Sequence, residues 1–418
     1  MTNRAALLLI AICLLTSSST PLSHSTGTSL IKKRDPGSAA NLTVIASVKY
    51  APTVYYVATN GDDSNPGTED EPFRTLVKGV SALAARDTLY VKEGIYAESL
   101  YNNIPGGTSW TAPVTVATYP SHKVTIRPEP GASRVLNFEG APTGYIIIRG
   151  FILDAVNVTH DAVKITSGPD GPSHHIRIEN CEIKNAPQQG VLMTRSANYN
   201  ELINLAIHDN GTTDFHHGIY ISTEYNLVEG SRIYQNAGWG VHIYSEKTLT
   251  AHYNLVRNNL VYNNGRAGRR GVGILLGSGR QNIAYNNIVV ANRTLGIQVD
   301  NDSQDAGVYH NVVYANRTFG IFIDDEAFGT IVRNNIVYQN TVDVQDHGTG
   351  TVQDHNLIGV DPHFLNPASF NFRLKPSSPA IDAGTPVTAV TTDFDRTPRP
   401  RGPRPDIGAF EFVPPPAR

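Results

Sequence analysis

Histidines and tyrosines are concentrated in two short stretches near the middle of the sequence. His217 and Tyr220 lie in the first stretch, and His242 and Tyr244 lie in the second. Imidazole and phenol groups can accept or donate a proton, so a cluster of the four could carry out general acid–base chemistry. We predict that these side chains converge within a few ångströms as catalytic residues. Paired histidines also bind transition metals, and that alternative stays open.

A second candidate group consists of aspartates in two later stretches. Asp300 and Asp324 occupy equivalent places, and Asp302 and Asp325 follow them closely. Carboxylate oxygens are the ligands that Ca²⁺ prefers in proteins. We therefore predict a calcium site formed by these four aspartates, and no organic cofactor. The alternative is that the acidic residues lie at turns and are simply solvated.

These candidates belong to a repeat that runs from about residue 180 to residue 340. Its interval is most often near 24 residues, which is typical of solenoid proteins. One marker is a glycine followed by an alternating apolar tripeptide, and it occurs at Gly190, Gly218, Gly240, Gly273, Gly296 and Gly320. The other marker is a pair of asparagines. Its first members are Asn180, Asn204, Asn259, Asn287, Asn311 and Asn335, with Gly230 in one repeat. Its second members are Asn185, Asn210, Asn236, Asn264, Asn292, Asn316 and Asn340.

Short strands that recur once per period cannot bury their apolar side chains alone, so successive coils must stack. Asparagine tolerates left-handed backbone conformations and therefore marks the corners between strands. The sequence thus predicts an all-β fold, a single-stranded right-handed parallel β-helix or solenoid. Apolar residues at helical spacing within residues 72–85 predict a short helix that caps its N-terminal end.

The alternation of each tripeptide predicts which side chains face outward. The first and third residues should point into the core and the middle one outward, with neighbouring coils about 4.8 Å apart. The predicted outward row is Leu192, Tyr220, His242, Leu275, Gln298 and Phe322. Aromatic rings stack on sugar faces and polar groups bond hydroxyls, so Trp239, Gln298 and Phe322 are candidate substrate-binding residues.

Three segments of the chain resemble secreted right-handed parallel β-helix proteins of the pectate lyase-like superfamily. The entry segment comprises residues 55–63, 72–76 and 87–96, and parallel β-helix repeats follow it. The tail carries the pattern of bacterial members, with Ser-Pro-Ala-Ile-Asp-Ala-Gly-Thr at 378–385 and Asp-Ile-Gly-Ala-Phe-Glu at 406–411. The resemblance covers most of the chain after residue 53.

This resemblance implies a polysaccharide partner, since the superfamily includes pectate and alginate lyases, chondroitinases, polygalacturonases and mannuronan epimerases. It favours a lyase that cleaves an acidic, uronate-containing glycan by β-elimination. Arg195 and Lys247 would then hold the uronate carboxylate, or Lys247 would be the base, and calcium would neutralise that carboxylate. A non-catalytic glycan-binding or cell-surface protein is the alternative, and a glycoside hydrolase is the second alternative. The Asp-Pro-His-Asp motif of alginate epimerases is approached only by Asp361-Pro362-His363.

The remaining segments predict an exported protein. We expect a signal peptide at 1–19, a linker at 20–52, the N-terminal cap and irregular coils at 53–134, regular repeats at 135–358, a C-terminal segment packed on the β-helix at 359–413 and a tail at 414–418. The formal net charge is −3 and charged residues make up 17% of the chain, which argues against a nucleic-acid partner. We expect a secreted, periplasmic or cell-surface monomer with no membrane span.

Overall fold

The computed structural model describes residues 51–140, 143–245 and 250–414. The predicted signal peptide, nearly all of the linker, Lys247 and most of the tail lie outside the described residues. The described chain winds into a right-handed parallel β-helix, so the predicted fold class is confirmed. Each regular coil contributes one short strand to each of three parallel sheets.

Sheet 1 contains the strands Val54–Val57, Thr88–Val91, Val114–Thr118, Gly144–Arg149, His174–Glu179, Glu201–Ile203, Leu227–Glu229, Leu255–Arg257, Ile283–Tyr285, Gly307–Tyr309, Ile331–Arg333 and Val352–Asp354. Sheet 2 contains Leu100–Tyr101, Leu136–Glu139, Val163–Gly168, Val191–Met193, Ile219–Ile221, Val241–Ile243, Ile274–Gly277, Leu295–Asp300, Phe319–Ile323 and Val342–Asp346, with Gly171–Pro172 antiparallel to Val163–Gly168. Sheet 3 contains Gly94–Tyr96, Val124–Ile126, Ile152–Asp154, Glu182–Lys184, Ala206–His208, Arg232–Tyr234, Leu260–Tyr262, Ile288–Val290, Val312–Tyr314, Ile336–Tyr338 and Leu357–Ile358.

The core lies inside the coils because each three-residue strand buries its alternate apolar side chains. Ile219 and Ile221 are fully buried, whereas Tyr220 between them is only partly buried. The glycine before each sheet 2 strand is required by close packing between coils. A Cβ atom at Gly273 would lie 2.4 Å from Val289 and 2.7 Å from the carbonyl oxygen of Gly296. The repeated glycine is therefore a packing requirement of the stack.

A single α-helix, α1 (Leu76–Ser81), is present among the described residues and lies within the predicted 72–85 segment. The Thr75 hydroxyl caps its N-terminus by accepting a hydrogen bond from the Lys78 N–H. Leu76 and Val80 are buried, and the helix packs against the first two strands of sheet 1. A short 3-10 helix, Pro367–Ser369, joins the antiparallel strands Phe364–Asn366 and Asn371–Leu374.

Buried asparagines form three ladders at the corners of the coils, and in each ladder an amide oxygen accepts from the residue one coil earlier. The corner between sheets 1 and 3 carries Asn259, Asn287, Asn311, Asn335 and Asn356. The corner between sheets 3 and 2 carries Asn210, Asn236, Asn264, Asn292, Asn316 and Asn340. The third corner, which the sequence did not reveal, carries Asn200, Asn226, Asn254 and Asn282.

Three of the asparagines that the sequence analysis used as corner markers lie one residue before the ladder position. Asn180, Asn204 and Asn185 have positive φ values of 53°, 52° and 62°. They lie in the turn position just before the ladder, where the same conformation is adopted by Asn258 and Asn263. The corners thus contain two adjacent positions that both favour asparagine, one with a left-handed backbone and one with a buried side chain in the ladder.

The C-terminal segment packs against the outer face of sheet 3. Phe364, Phe372 and Phe410 form a second hydrophobic cluster with sheet 3 residues that include Val312 and Ile336. This segment therefore covers apolar side chains that sheet 3 would otherwise present to water.

Candidate functional site

The outer face of sheet 2 carries a continuous column of in-register side chains. Parallel pairing places the following residues side by side in successive strands: Asn137, Lys164, Leu192, Tyr220, His242, Leu275, Gln298, Phe322 and Gln345. The predicted outward row is thereby found in the structure, and it extends further toward both ends of the sheet. We call this set of nine residues the central column.

A chain of hydrogen bonds runs along the edge of the face where the sheet 2 strands begin. Asp161 is buried and accepts hydrogen bonds from the Arg134 guanidinium, at 3.3 Å, and from the Gln189 N–H, at 3.1 Å. The Gln189 side-chain oxygen accepts from the His217 N–H, and His217 Nδ1 accepts from the Trp239 N–H at 3.1 Å. Five successive coils are thus connected, and the hydrogen bond from the Trp239 backbone N–H holds the His217 ring in a fixed orientation.

His217, Tyr220, His242, Tyr244 and Trp239 form one compact aromatic cluster. The His217 and His242 rings are 4.4 Å apart between centroids, and the Trp239 and His242 rings are 4.1 Å apart. The Tyr220 and Tyr244 rings lie 4.8 and 5.3 Å from His242. The structure therefore places the four predicted proton-transfer residues together around His242.

Both histidines of this cluster are neutral at physiological pH. Burial, with a smaller contribution from His216, lowers the pKa of His217 to about 3. Burial and the neighbouring His217 lower the pKa of His242 well below its usual value. Because His217 Nδ1 is occupied by the Trp239 N–H, that nitrogen is not available to accept a proton from a substrate. His242 Nδ1 is buried and has no hydrogen-bond partner within the described ranges, so of the two Nδ1 atoms only that of His242 is free to accept a proton.

The acidic residues lie at the other end of the face, and only some of them are brought together. Burial raises the pKa of Asp300, with smaller effects of Glu326 and Asp325, and burial together with a hydrogen bond to Asp325 raises the pKa of Asp324. Asp302 has a left-handed backbone and instead lines a cleft of about 320 Å³ with His252 and Arg280. The predicted four aspartates therefore do not share one site.

This arrangement does not fit the predicted calcium site. The two Asp300 carboxylate oxygens accept hydrogen bonds from the Gln298 side chain and the Asn301 N–H, each at 2.6 Å. In residues 51–140, 143–245 and 250–414, no group of three or more histidine, cysteine, aspartate or glutamate side chains could hold a metal ion. Calcium binding stays a prediction of the sequence.

The remaining predicted residues are distributed along the face. Trp239 contacts the histidine cluster, Gln298 and Phe322 lie in the central column, and the Phe322 ring is 5.1 Å from that of Phe319. Arg195 is exposed in the turn after the Val191–Met193 strand, where it acts electrostatically on Lys164. The sequence therefore located most of the face, and the role of Arg195 in holding a uronate carboxylate stays a prediction.

Several residues of the face were missed by the sequence interpretation. Asn137, Lys164, Asp161 and Gln189 lie in coils before Gly190, where the glycine marker is absent. The apolar–polar–apolar pattern Val163-Lys164-Ile165 would have indicated the outward lysine. An aromatic stack of Tyr145, His175, Tyr199, Tyr225 and Tyr253 at the corner between sheets 2 and 1 was also missed. The recurring Tyr-Asn dipeptides at 199, 225 and 253 were its signal.

The fold and the central column define a right-handed parallel β-helix protein in which one face of sheet 2 carries aromatic, polar and charged side chains in register. The chain belongs to the family of Pel9A-like proteins, whose right-handed β-helix region matches residues 55–340. The tail resemblance at 378–411 lies beyond the matched region and stays a prediction.

Individual proteins show the same architecture. The pectate lyase Pel9A is similar with a TM-score of 0.70 and 18% identity, over 87% of this chain and 97% of that one. A rhamnogalacturonan lyase has a TM-score of 0.54 and 17% identity over 81% and 97% of the two chains. An alginate lyase from Paenibacillus sp. str. FPU-7 has a TM-score of 0.53 and 17% identity over 73% and 99%. At these identities the likeness concerns the fold.

A relative in sequence is the uncharacterized protein YwoF of Bacillus subtilis (strain 168), which is 30% identical over 133 residues. The match covers 31% of this chain, and the chain spans 28% of the length of that relative. Across the part of the chain that the structure describes, no helix has both the length and the apolar character needed to cross a membrane.

Proposed function

We propose that this protein is an exported polysaccharide-active enzyme, a lyase that cleaves an acidic, uronate-containing glycan by β-elimination on the outer face of sheet 2. The observation that carries this proposal is the central column. Its nine side chains lie in register on parallel strands about 4.8 Å apart and extend roughly 40 Å along the sheet, with Leu275, Asn137 and His242 buried and the other six partly exposed. A surface of this length suits an extended polymer better than a small molecule. The names of three similar solved structures, a pectate lyase, a rhamnogalacturonan lyase and an alginate lyase, support the same class of substrate.

The charge beside the face supports an acidic substrate. The turns at 264–272, 292–294 and 316–318 lead into sheet 2 and contain no aspartate or glutamate. They carry five exposed arginines, Arg266, Arg269, Arg270, Arg293 and Arg317. Guanidinium groups bind carboxylates through charge-assisted hydrogen bonds. A polyuronate lying along the central column would therefore pass a positively charged edge.

The aromatic cluster supplies candidate groups for the proton transfers. In β-elimination a base removes the proton next to the uronate carboxylate, the C–H electrons form a C4=C5 double bond, and the C4–O bond breaks. The leaving oxygen then takes a proton from an acid or from water. Neutral His242 is in the form that accepts a proton, but its low pKa makes it a weak base. We therefore assign proton transfer to His242 with Tyr220 and Tyr244, and assign His217 the positioning of Trp239.

Absorbance of unsaturated uronate tests this proposal directly. Purified protein is incubated with pectate, alginate and chondroitin, with and without Ca²⁺. We expect unsaturated product from at least one of them, and a loss of about 100-fold or more in rate for Tyr220→Phe or His242→Phe, because general acid–base groups typically contribute that much. No product from any acidic glycan, with calcium present, would contradict the lyase proposal.

The same experiment separates the alternatives. A non-catalytic binder is favoured by the burial of His217 and by the absence of a strong base among the four clustered residues; it would bind glycan without turnover. A glycoside hydrolase is favoured by Asp300 and Asp324, carboxylates on adjacent coils whose raised pKa values suit a proton donor. New reducing ends without unsaturated product would identify the hydrolase.

A further inference from the structure

Lys164 lies in the central column without a partner. It is paired in register with Asn137 on one side and Leu192 on the other, and it is partly buried. No hydrogen bond or ion pair involves its ammonium group anywhere in the described ranges. An ammonium group withdrawn from water normally has a compensating partner.

Asn137 presents an unused acceptor next to this lysine. Its side chain is 2% exposed, and its Nδ2 donates to Asn102 Oδ1 at 2.8 Å. Its Oδ1 has no hydrogen-bond partner within the described ranges. Buried polar atoms are nearly always paired, so an orphaned acceptor on a binding face indicates a donor supplied from outside the chain.

The charges around Lys164 favour an anion. Arg134, Arg195, Asp161 and Glu139 all act on it electrostatically. Asp161 is already bonded to Arg134 and to the Gln189 N–H, and Glu139 Oε2 is 3.4 Å from Asn137 Nδ2. Three cationic groups thus face two carboxylates, which leaves an excess of positive charge. Burial, followed by the repulsion of Arg134, lowers the pKa of Lys164, so a bound carboxylate would restore the stability of the charged ammonium.

We propose that Lys164 and Asn137 form a binding subsite for one uronate residue of an acidic glycan, with the ammonium group donating to the sugar carboxylate and Asn137 Oδ1 accepting from a sugar hydroxyl. This inference rests on the proposed function of the sheet 2 face. Lys164 is two strands from Tyr220, roughly 10 Å along the column. The subsite therefore holds a sugar that is not the one being cleaved. It raises the affinity for the glycan and fixes which sugar lies beside the aromatic cluster.

Equilibrium binding tests the subsite, with pectate, alginate and chondroitin oligosaccharides and their carboxyl-reduced forms as probes. The variants are Lys164→Met and Asn137→Leu. The control is Lys123→Met, which removes an exposed lysine from the turn before the Val124–Ile126 strand of sheet 3. We expect Lys164→Met to weaken the Kd for the bound acidic oligosaccharide by about tenfold or more, because a charge-assisted hydrogen bond is lost. Lys123→Met should bind like the wild type, and the carboxyl-reduced oligosaccharide should not distinguish Lys164→Met from the wild type.

The outcomes distinguish failure of the subsite from failure of the proposed function. Equal affinity of Lys164→Met and wild type for the acidic oligosaccharide would overturn the subsite and leave the proposed function standing. A wild type that binds none of the acidic probes would overturn the proposed function and the subsite with it. Because Lys164 is partly exposed, Lys164→Met keeps the test valid even if Asn137→Leu does not fold.

Discussion

His217 and His242 show how the environment of a residue changes the chemistry that its type suggests. As free side chains both would titrate near neutral pH, which makes histidine a frequent acid–base catalyst. Packed against Trp239 and each other, both are desolvated, and their neutral forms are favoured. The cluster therefore contributes rigid rings and hydrogen-bonding nitrogens, and little charge.

The pH dependence of stability follows from this burial. An unfolded chain binds a proton at each histidine near pH 6.5, whereas the folded chain resists protonation until much lower pH. The buried neutral histidines therefore contribute fully to the unfolding free energy above pH 6.5, and this contribution is lost as the pH falls. The unfolding free energy of the wild type should fall between pH 7 and pH 5. In His242→Phe this fall should be smaller than in the wild type by about 2 kcal/mol.

Denaturant unfolding at the two pH values measures this effect. His160→Phe, which removes an exposed imidazole, is the control and should keep the wild-type pH dependence. A His242→Phe variant that lost as much stability as the wild type would show that His242 is protonated in the folded chain.

At the scale of the elements, the asparagine ladders explain how three-residue strands can be joined by tight turns. Asn264 donates to the Ile233 carbonyl and to Asn292 Oδ1, and its own oxygen accepts from the N–H and side chain of Asn236. Turn backbone groups that find no partner in a sheet are satisfied by these amides. Each ladder residue therefore connects its own coil with both neighbouring coils.

Adjacent asparagines provide a matched test of the ladder. Asn264→Ala should lower the unfolding free energy by more than about 2 kcal/mol, because buried donors and acceptors on two coils lose their partners. Asn263→Ala should cost less than about 1 kcal/mol, since Asn263 is exposed and alanines 291 and 315 adopt the same positive φ of 53° in later coils. Urea denaturation measures both, and equal losses would argue that the ladder hydrogen bonds add no stability.

At the scale of the whole molecule, a buried ion pair fastens the C-terminal segment. Arg399 and Glu411 are joined at 2.6 Å, with side-chain exposures of 2% and 0%. Arg399 also donates to the carbonyl oxygens of Asp406 and Gly408. A nearby amide, Asn286 of the coils, donates to the Thr392 carbonyl. Polar contacts at the turns thus supplement the apolar cluster that covers sheet 3.

Removing one member of this pair should be costly. Arg399→Met leaves the Glu411 carboxylate buried without its counter-ion, and we expect a loss of about 3–5 kcal/mol in unfolding free energy. Arg373→Met breaks a pair of similar geometry with Asp395 that is 49% and 37% exposed, so it should cost less than about 1 kcal/mol. Thermal denaturation compares the two variants, and a larger effect of Arg373→Met would contradict this account.

The sequence by itself determined the coil period, the all-β class and the register of the outward row from Leu192 to Phe322. These features depend on local rules, because side chains alternate along a strand and close packing selects glycine at each strand entry. Only the tertiary structure decided that Lys164 lies beside an orphaned Asn137, that Asp161 connects through Gln189 to His217, and that Asp302 turns away from Asp300. Those outcomes depend on the sign of φ at single turn residues and on burial by neighbouring coils, neither of which a single repeat encodes.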